Sequence, residues 1–247
     1  MMRLDRALAN SGYGSRSEIR KLIRLGRVTV AGLVIRDAAF PISGAAVETV
    51  RIDGQEKPLH DHLTVMLNKP AGFITAMEDA RLPTVADLLP PGWVRIGLVP
   101  VGRLDRDTTG LLLLTSDGTL NHRLASPRWG VWKAYRFRYD GPEWTAEDIA
   151  AFADGLTLAD GQRLKPARLT PLSGHEADLS LHEGKFHQVK RMVQACGREV
   201  VRLHRHAFGP LTLDDDLAPG TARLLRPDEI KALRAAVQMD EPAEGIR

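Results

Sequence analysis

Residues 101 to 115, VGRLDRDTTGLLLLT, constrain the fold of this chain more than any other stretch. Leu111, Leu112, Leu113 and Leu114 follow one another, end in Thr115, and are closed off by Asp117-Gly118. A short continuous apolar run bounded by turn residues predicts a strand buried on both faces. The segment GRLDRDTTG just before it is then a loop fastened directly to the core, so Asp105 has little freedom. An aspartate after a short polar stretch ordinarily forms a turn or caps a helix. Fixed placement is equally what a catalytic carboxylate requires, and a buried aspartate needs a cationic or hydrogen-bonding partner.

The surrounding pattern is mixed. LTVMLNKPAGFIT (63–75) predicts a strand stopped at Lys69-Pro70-Ala71-Gly72, and KAYRFRY (133–139) and ADLSLHE (177–183) alternate as strands do. Helices are predicted over 145–154, 186–196 and 227–237. The expected class is α+β, with a mainly antiparallel mixed sheet flanked by helices. In EGKFHQVKRMVQACG (183–197), helical spacing puts Phe186, Val189, Met192, Val193 and Cys196 on one face and His187, Lys190, Arg191 and Gln194 on the other. Lys190, at the edge of the apolar face, is expected to pair with Asp105, and Arg191 to touch phosphate. The alternative is a plain amphipathic surface helix.

The front of the chain has a different character. Residues 1–60 hold 10 Lys/Arg against 6 Asp/Glu, so this quarter carries the whole excess of a net charge of only +3. RLDRALANSG (3–12) and SRSEIRKLIRLG (15–26) predict two short helices, the second opened by a Ser15/Glu18 capping box. RVTVAGLVI (27–35) follows as a hairpin turning at Ala31-Gly32. Arg16, Arg20 and Arg24 recur every four residues with Lys21 beside them, and no acidic residue stands at spacing four to neutralise them. This stripe is either a solvated helix face or a set of RNA phosphate contacts, and the second is favoured. The segment resembles the S4 RNA-binding domain over about residues 2–50. The expected organisation is an S4-like domain over 1–52, a linker over 53–62, a larger domain over 63–237 and a loose tail over 238–247.

Several classes are disfavoured. One cysteine, Cys196, excludes an internal disulfide framework and a cysteine-based zinc cluster. No Walker loop, G-x-S-x-G elbow or dinucleotide fingerprint occurs. There is no signal-peptide pattern and no run of about 18 apolar residues, so a cytoplasmic protein without membrane contact is expected. Asp105 and Asp107 offer a two-carboxylate site for Mg²⁺ and a phosphodiesterase reading, but no third acidic ligand is obvious. His204 and His206 share a face of a predicted strand, where RNA contact or plain surface is favoured over zinc.

GRLDRDTTGLLLLTSDG (102–118), KAYRF (133–137) and EGKFHQVKRM (183–192), in this order behind an S4-like domain, resemble the motifs of the RsuA-type pseudouridine synthases. The resemblance extends from Arg3 to about Leu233, and no motif position departs from the family pattern. It implies that Asp105 is the nucleophile, that Tyr135 stacks on the target base, and that Lys190 keeps the Asp105 carboxylate ionised. It also implies that Leu203 lines the pocket floor and that Arg103 holds RNA around the flipped nucleotide; Arg191 and His187, on the polar face of the predicted helix, are further candidate substrate contacts. Read without the resemblance, Tyr135 is an ordinary strand aromatic.

His187-Gln188-Val189-Lys190 together with residues 200–220 is most similar to the branch acting on small-subunit rRNA, since related large-subunit enzymes usually show Arg where Lys190 stands. The implied activity is isomerisation of one uridine, of the uridine 516 type, in 16S rRNA. The partner is rRNA or a small-subunit assembly intermediate, no metal or cofactor is called for, no protein partner is obligate, and a monomer is the default. Alternatives are a 23S enzyme of the same family and a non-catalytic ribosome-assembly protein. The reaction breaks N1–C1′, rotates uracil and joins C5 to C1′; a carboxylate serves as nucleophile at the sugar or at C6, or as base at a sugar proton.

Overall fold

The structure, a computed structural model, describes residues 2–42, 49–57, 59 and 62–239. Residues 240–247, most of the expected tail, lie outside the described residues; Gln238 and Met239 still cap the last helix, with the Met239 N–H bonded to Arg234 O.

The N-terminal unit consists of β1 (Met2–Arg3), α1 (Leu4–Asn10), α2 (Arg16–Arg24), β2 (Val28–Val30), β3 (Leu33–Ile35), β4 (Pro41–Ile42), β5 (Val50–Ile52) and β6 (Gln55–Glu56). Leu4, Leu8, Ile19 and Ile23 from the two helices meet Val28, Val50 and Ile52 in one core. The capping box opens α2 as predicted, with Ser15 and Glu18 each satisfying the other's backbone N–H. The β2–β3 turn places Ala31 and Gly32 at φ 50° and 80°, the left-handed pair a two-residue hairpin needs. Strand β6 pairs with β5, so the unit extends past residue 52 and the first part of the expected linker is a hairpin turning at Asp53-Gly54.

The arginine stripe differs from expectation. Asp5, fully buried on α1, accepts from Arg20 Nε at 2.7 Å and from Arg3, and lies 3.6 Å from Arg16. Spacing within α2 could not show this partner because it stands on the other helix. Arg24 turns back on its own helix, donating to Arg20 O at 3.3 Å. Lys21 and the outer parts of Arg16, Arg20 and Arg24 remain exposed.

The larger unit contains β7 (Thr64–Lys69), α3 (Pro91–Arg95), β8 (Val99–Pro100), β9 (Thr109–Thr115), α4 (Gly118–Ala125), β10 (Lys133–Asp140), α5 (Ala146–Asp154), β11 (Arg168–Pro171) and β12 (Glu176–Leu181). It continues with α6 (Gln188–Ala195), β13 (Glu199–Phe208), β14 (Leu211–Thr212), β15 (Ala222–Leu224) and α7 (Pro227–Ala236). Among the described residues its sheet has nine strands, running β11-β12-β10-β13-β9-β7-β15 with β14 beside β13 and β8 beside β9. Every pairing in it is antiparallel except β9 with β13. The fold is thus α+β with a mainly antiparallel sheet. No helix among the described residues is long and apolar enough to cross a membrane.

Strand β9 is buried on both faces. Leu112 and Leu114 join Val65, Leu67, Phe137 and the α6 residues Val189 and Met192 on one side of the sheet. Leu111 and Leu113 join Met66, Phe208, and Leu120 and Leu124 of α4 on the other. All four leucines are fully shielded, each worth about 1.5–3 kcal/mol of transfer from water. Such a strand is a stiff platform for the loop that precedes it.

One residue sets how closely β9 and β13 approach. Gly110 has φ 101°, and a Cβ there would stand 2.2 Å from Arg205 O. Gly110→Ala should therefore destabilise the protein by at least about 3 kcal/mol in urea denaturation. Gly32→Ala, also at positive φ but facing open space, should cost only about 1 kcal/mol. Equal effects would show that β9 and β13 tolerate a wider separation.

Asp5 supplies an acid signature. Burial alone would raise its carboxyl, but hydrogen bonds from Arg3 and Arg20, with the charges of Arg3 and Arg16, bring it down from 3.8 to about 2. A carboxyl depressed by folding contributes stability that is present above the unfolded value and lost as pH falls toward about 2. Asp5→Asn should be less stable than the parent at neutral pH by on the order of 2 kcal/mol. The gap should close between pH 4 and 2; a gap constant through acid titration would contradict the assignment.

Candidate active site

A cavity of about 560 Å³ lies between the loop 101–108 and the start of α6. Beside it runs one row of paired residues across four strands, of which Arg205 and Tyr135 line the cavity: Lys69 on β7 opposes Gly110 on β9, Gly110 opposes Arg205 on β13, and Arg205 opposes Tyr135 on β10. Opposed residues share a face of the sheet, so the cavity is floored by strand positions while Asp105 enters from the loop above.

That loop is anchored from several directions. The Lys69 ammonium, fully buried, donates to the carbonyls of Thr108 at 2.9 Å, Asp105 at 3.0 Å, Pro70 at 3.1 Å and Arg106 at 3.4 Å. Burial pushes this lysine down to about 8, against the pull of Asp107 and Asp105, so it stays mainly charged at neutral pH. Thr75 Oγ1 donates to Leu104 O at 2.7 Å, and Gly72 N–H donates to Arg106 O at 2.8 Å. Thr108 N–H donates to Asp105 O at 3.1 Å, closing a turn over 105–108.

The turn brings Asp107 back beside Asp105, and this changes the expected ion pair. Lys190 Nζ donates to both Asp107 oxygens at 2.6 and 2.7 Å and stands 3.9 Å from Asp105 Oδ2. Its charge therefore serves two carboxylates, with the hydrogen bonds on Asp107. Burial raises the Asp107 carboxyl, but Lys190 outweighs it and holds the group below its ordinary value. His187 Nε2 lies 3.5 Å from Asp105 Oδ1 on the other side. Among the described residues no three metal-type ligands converge, and the ammonium occupies the space between the two aspartates.

Helix α6 begins at Gln188, two residues later than predicted, because His187 adopts φ 48° and breaks helical geometry there. Phe186 is consequently not in the apolar face: it is 76% exposed and stacks on His187 with ring centroids 3.8 Å apart. Both rings border the cavity. Arg191 also departs from expectation. It turns away to Asp160 at 2.5 Å and Gln162 at 3.3 Å, so its guanidinium is held by protein rather than presented to phosphate.

Tyr135, Leu203 and Arg103 all line the cavity, the first two buried and the third exposed. The structure thus gathers Asp105, Tyr135, Lys190, Leu203, Arg103 and His187 around one space. Sequence reasoning missed three more cavity or loop residues: Arg205, Lys133 and Lys69. Strand alternation carried the signal, since Arg205 stands two after Leu203 and Lys133 two before Tyr135. Attention to His204 and His206 picked out the opposite face of the same strand, where His204 Nδ1 lies 2.9 Å from Thr109 Oγ1 and burial holds His204 below its ordinary value.

Comparison with known proteins covers nearly the whole chain. The family model described as RNA pseudouridylate synthase matches residues 63–195, and that of the S4 domain matches residues 2–47. The chain is 42% identical over 239 residues to ribosomal small subunit pseudouridine synthase A of Escherichia coli (strain K12), covering 94% of this chain and 100% of that one. It is 42% identical over 236 residues to an uncharacterized RNA pseudouridine synthase of Bacillus subtilis (strain 168), covering 94% and 98%. Among solved structures it is similar to a crystal structure of pseudouridylate synthase, with TM-score 0.66, 34% identity and coverage of 94% and 100%. With its fold, its motifs and nearly its full length accounted for, the chain belongs to the RNA pseudouridine synthase family of isomerases and carries an S4 domain at its front.

Proposed function

We propose that this protein isomerises one uridine of 16S rRNA, of the uridine 516 type, to pseudouridine. The observation that carries the reading is the carboxylate of Asp105, held on an anchored loop at a cavity that also presents Tyr135, Leu203 and Lys190. Asp105 acts on the reacting nucleotide as the nucleophile. Tyr135 stacks on the flipped base, offsetting part of the lost stacking, about 1–3 kcal/mol per base. Lys190 sets its positive charge 3.9 Å from the Asp105 carboxylate while it hydrogen-bonds Asp107 at 2.6 and 2.7 Å.

The small-subunit assignment is favoured by the relatives that carry that name at similar identity along nearly the whole chain, and by Lys at position 190. The N-terminal unit docks rRNA or a small-subunit assembly intermediate through Lys21, Arg24 and the exposed parts of Arg16 and Arg20, a salt-sensitive contribution. Arg103 and the Phe186–His187 stack stand at the rim where RNA enters. The protein works as a monomer in the cytoplasm and needs no obligate protein partner.

The test is mass-spectrometric mapping of pseudouridine in 16S and 23S rRNA from cells lacking the gene, complemented with the parent protein or Asp105→Asn. One 16S pseudouridine should disappear and return only with the parent, while Asp105→Asn keeps the fold and RNA affinity. A lost 23S site would overturn the subunit assignment. An unchanged map would establish the protein as an RNA binder without this activity.

A further inference from the structure

Two cations lie at the inner wall of the cavity without a carboxylate of their own. Arg205 is 1% exposed and Lys133 9% exposed. Among the described residues neither comes within 4 Å of an acidic oxygen. Arg205 Nε donates to Leu111 O at 2.8 Å, and its Nη1 lies 3.5 Å from the Tyr135 hydroxyl, but the buried Nη2 has no partner. Lys133 Nζ donates only to Val131 O at 3.1 Å. Glu183 is near enough to act on Lys133 through its field, yet its own bonds go to Lys165 N–H and Gln188 Nε2. Charges buried in this way are costly and are normally paired. Neither has a carboxylate partner among the described residues, and both residues line the cavity that holds Asp105.

Resting on the function proposed above, we propose that Lys133 and Arg205 form the site for the negative charge that the uracil ring carries during the reaction. When N1–C1′ breaks, its electron pair stays with the ring and spreads over N1, O2 and O4. The pair that closes C5–C1′ comes from the same ring, C5 gives up its proton, and N1 gains one. In each route open to Asp105 the ring oxygens hold excess charge between these events. Fixed cations in a dry wall stabilise that charge without reorganising. Lys133 is pushed down to about 8 by burial and by Arg205, and so remains mainly charged at neutral pH. Tyr135, stacked on the base, holds it beside Arg205, its partner in the neighbouring strand.

The experiment compares single-turnover rates on an rRNA oligonucleotide carrying uridine or 5-fluorouridine at the mapped site. Fluorine stabilises the ring anion by itself, so dependence on the two cations should fall. Lys133→Gln and Arg205→Gln should slow consumption of uridine by roughly a hundredfold. RNA affinity should change less than about threefold, and the loss with 5-fluorouridine should be about tenfold smaller. Lys133→Arg, which keeps the charge, should recover most of the lost rate. If Arg205→Gln fails to fold, Lys133→Gln with a parental melting curve and Arg205→Lys carry the test. Equal losses on both substrates, or parental rates in the variants, would overturn the proposal while leaving the isomerase reading intact. A parent protein inert on both 16S and 23S rRNA would instead overturn the reading beneath it.

Discussion

The approach of β13 to β9 at Gly110 is the constraint on which the rest of the site depends. Among the described residues it is the one parallel pairing in the large sheet, and only a residue without a side chain permits it. Closing that gap aligns Lys69, Gly110, Arg205 and Tyr135 in a single row. One end of the row reaches up through the Lys69 ammonium to hold the loop of Asp105, and the other presents an aromatic ring and a guanidinium to the cavity. Four leucines shielded on both faces keep β9 from moving under that loop. Core packing and the placement of the reacting carboxylate are therefore one structural fact.

Charge is distributed in a way that follows from burial. Lys69 is compensated by four carbonyls, Lys190 by two carboxylates at different distances, and Asp5 by three arginines of the N-terminal unit. Each of these clusters ties together segments distant in sequence and contributes geometry as much as energy. Lys133 and Arg205 are the exceptions, and their lack of an acidic partner is what sets the inner wall of the cavity apart. Positive charge kept without an acidic contact partner favours a ligand that becomes anionic only while it reacts, the condition for stabilising a transition state more than a ground state.

Much of the fold was legible because its signals are local. The leucine run, the alternation in KAYRFRY, the Ser15/Glu18 box and the Ala31-Gly32 turn each act through neighbouring residues. What escaped was set by tertiary contact. The turn that brings Asp107 under Lys190 depends on the Thr108 backbone N–H and the Lys69 ammonium, and the pairing of Asp5 with the arginines crosses between helices. The left-handed backbone at His187 ejects Phe186 from a helix whose periodicity otherwise includes it. Arg205 escaped for a different reason: alternation places it with Leu203, but the two histidines beside it drew the chemical reading to the opposite face.

The central claim is that the Lys69 ammonium holds the Asp105 loop as rigidly as the core beneath it. Native-state hydrogen exchange at the amides of Gly72 and Thr108, in the parent and in Lys69→Met, tests this most directly. The account predicts that both amides in the parent exchange only through openings close in free energy to global unfolding, and that Lys69→Met exposes them through a much cheaper local opening. Parent amides that exchange like those of a free surface loop, or protection unchanged in Lys69→Met, would contradict it.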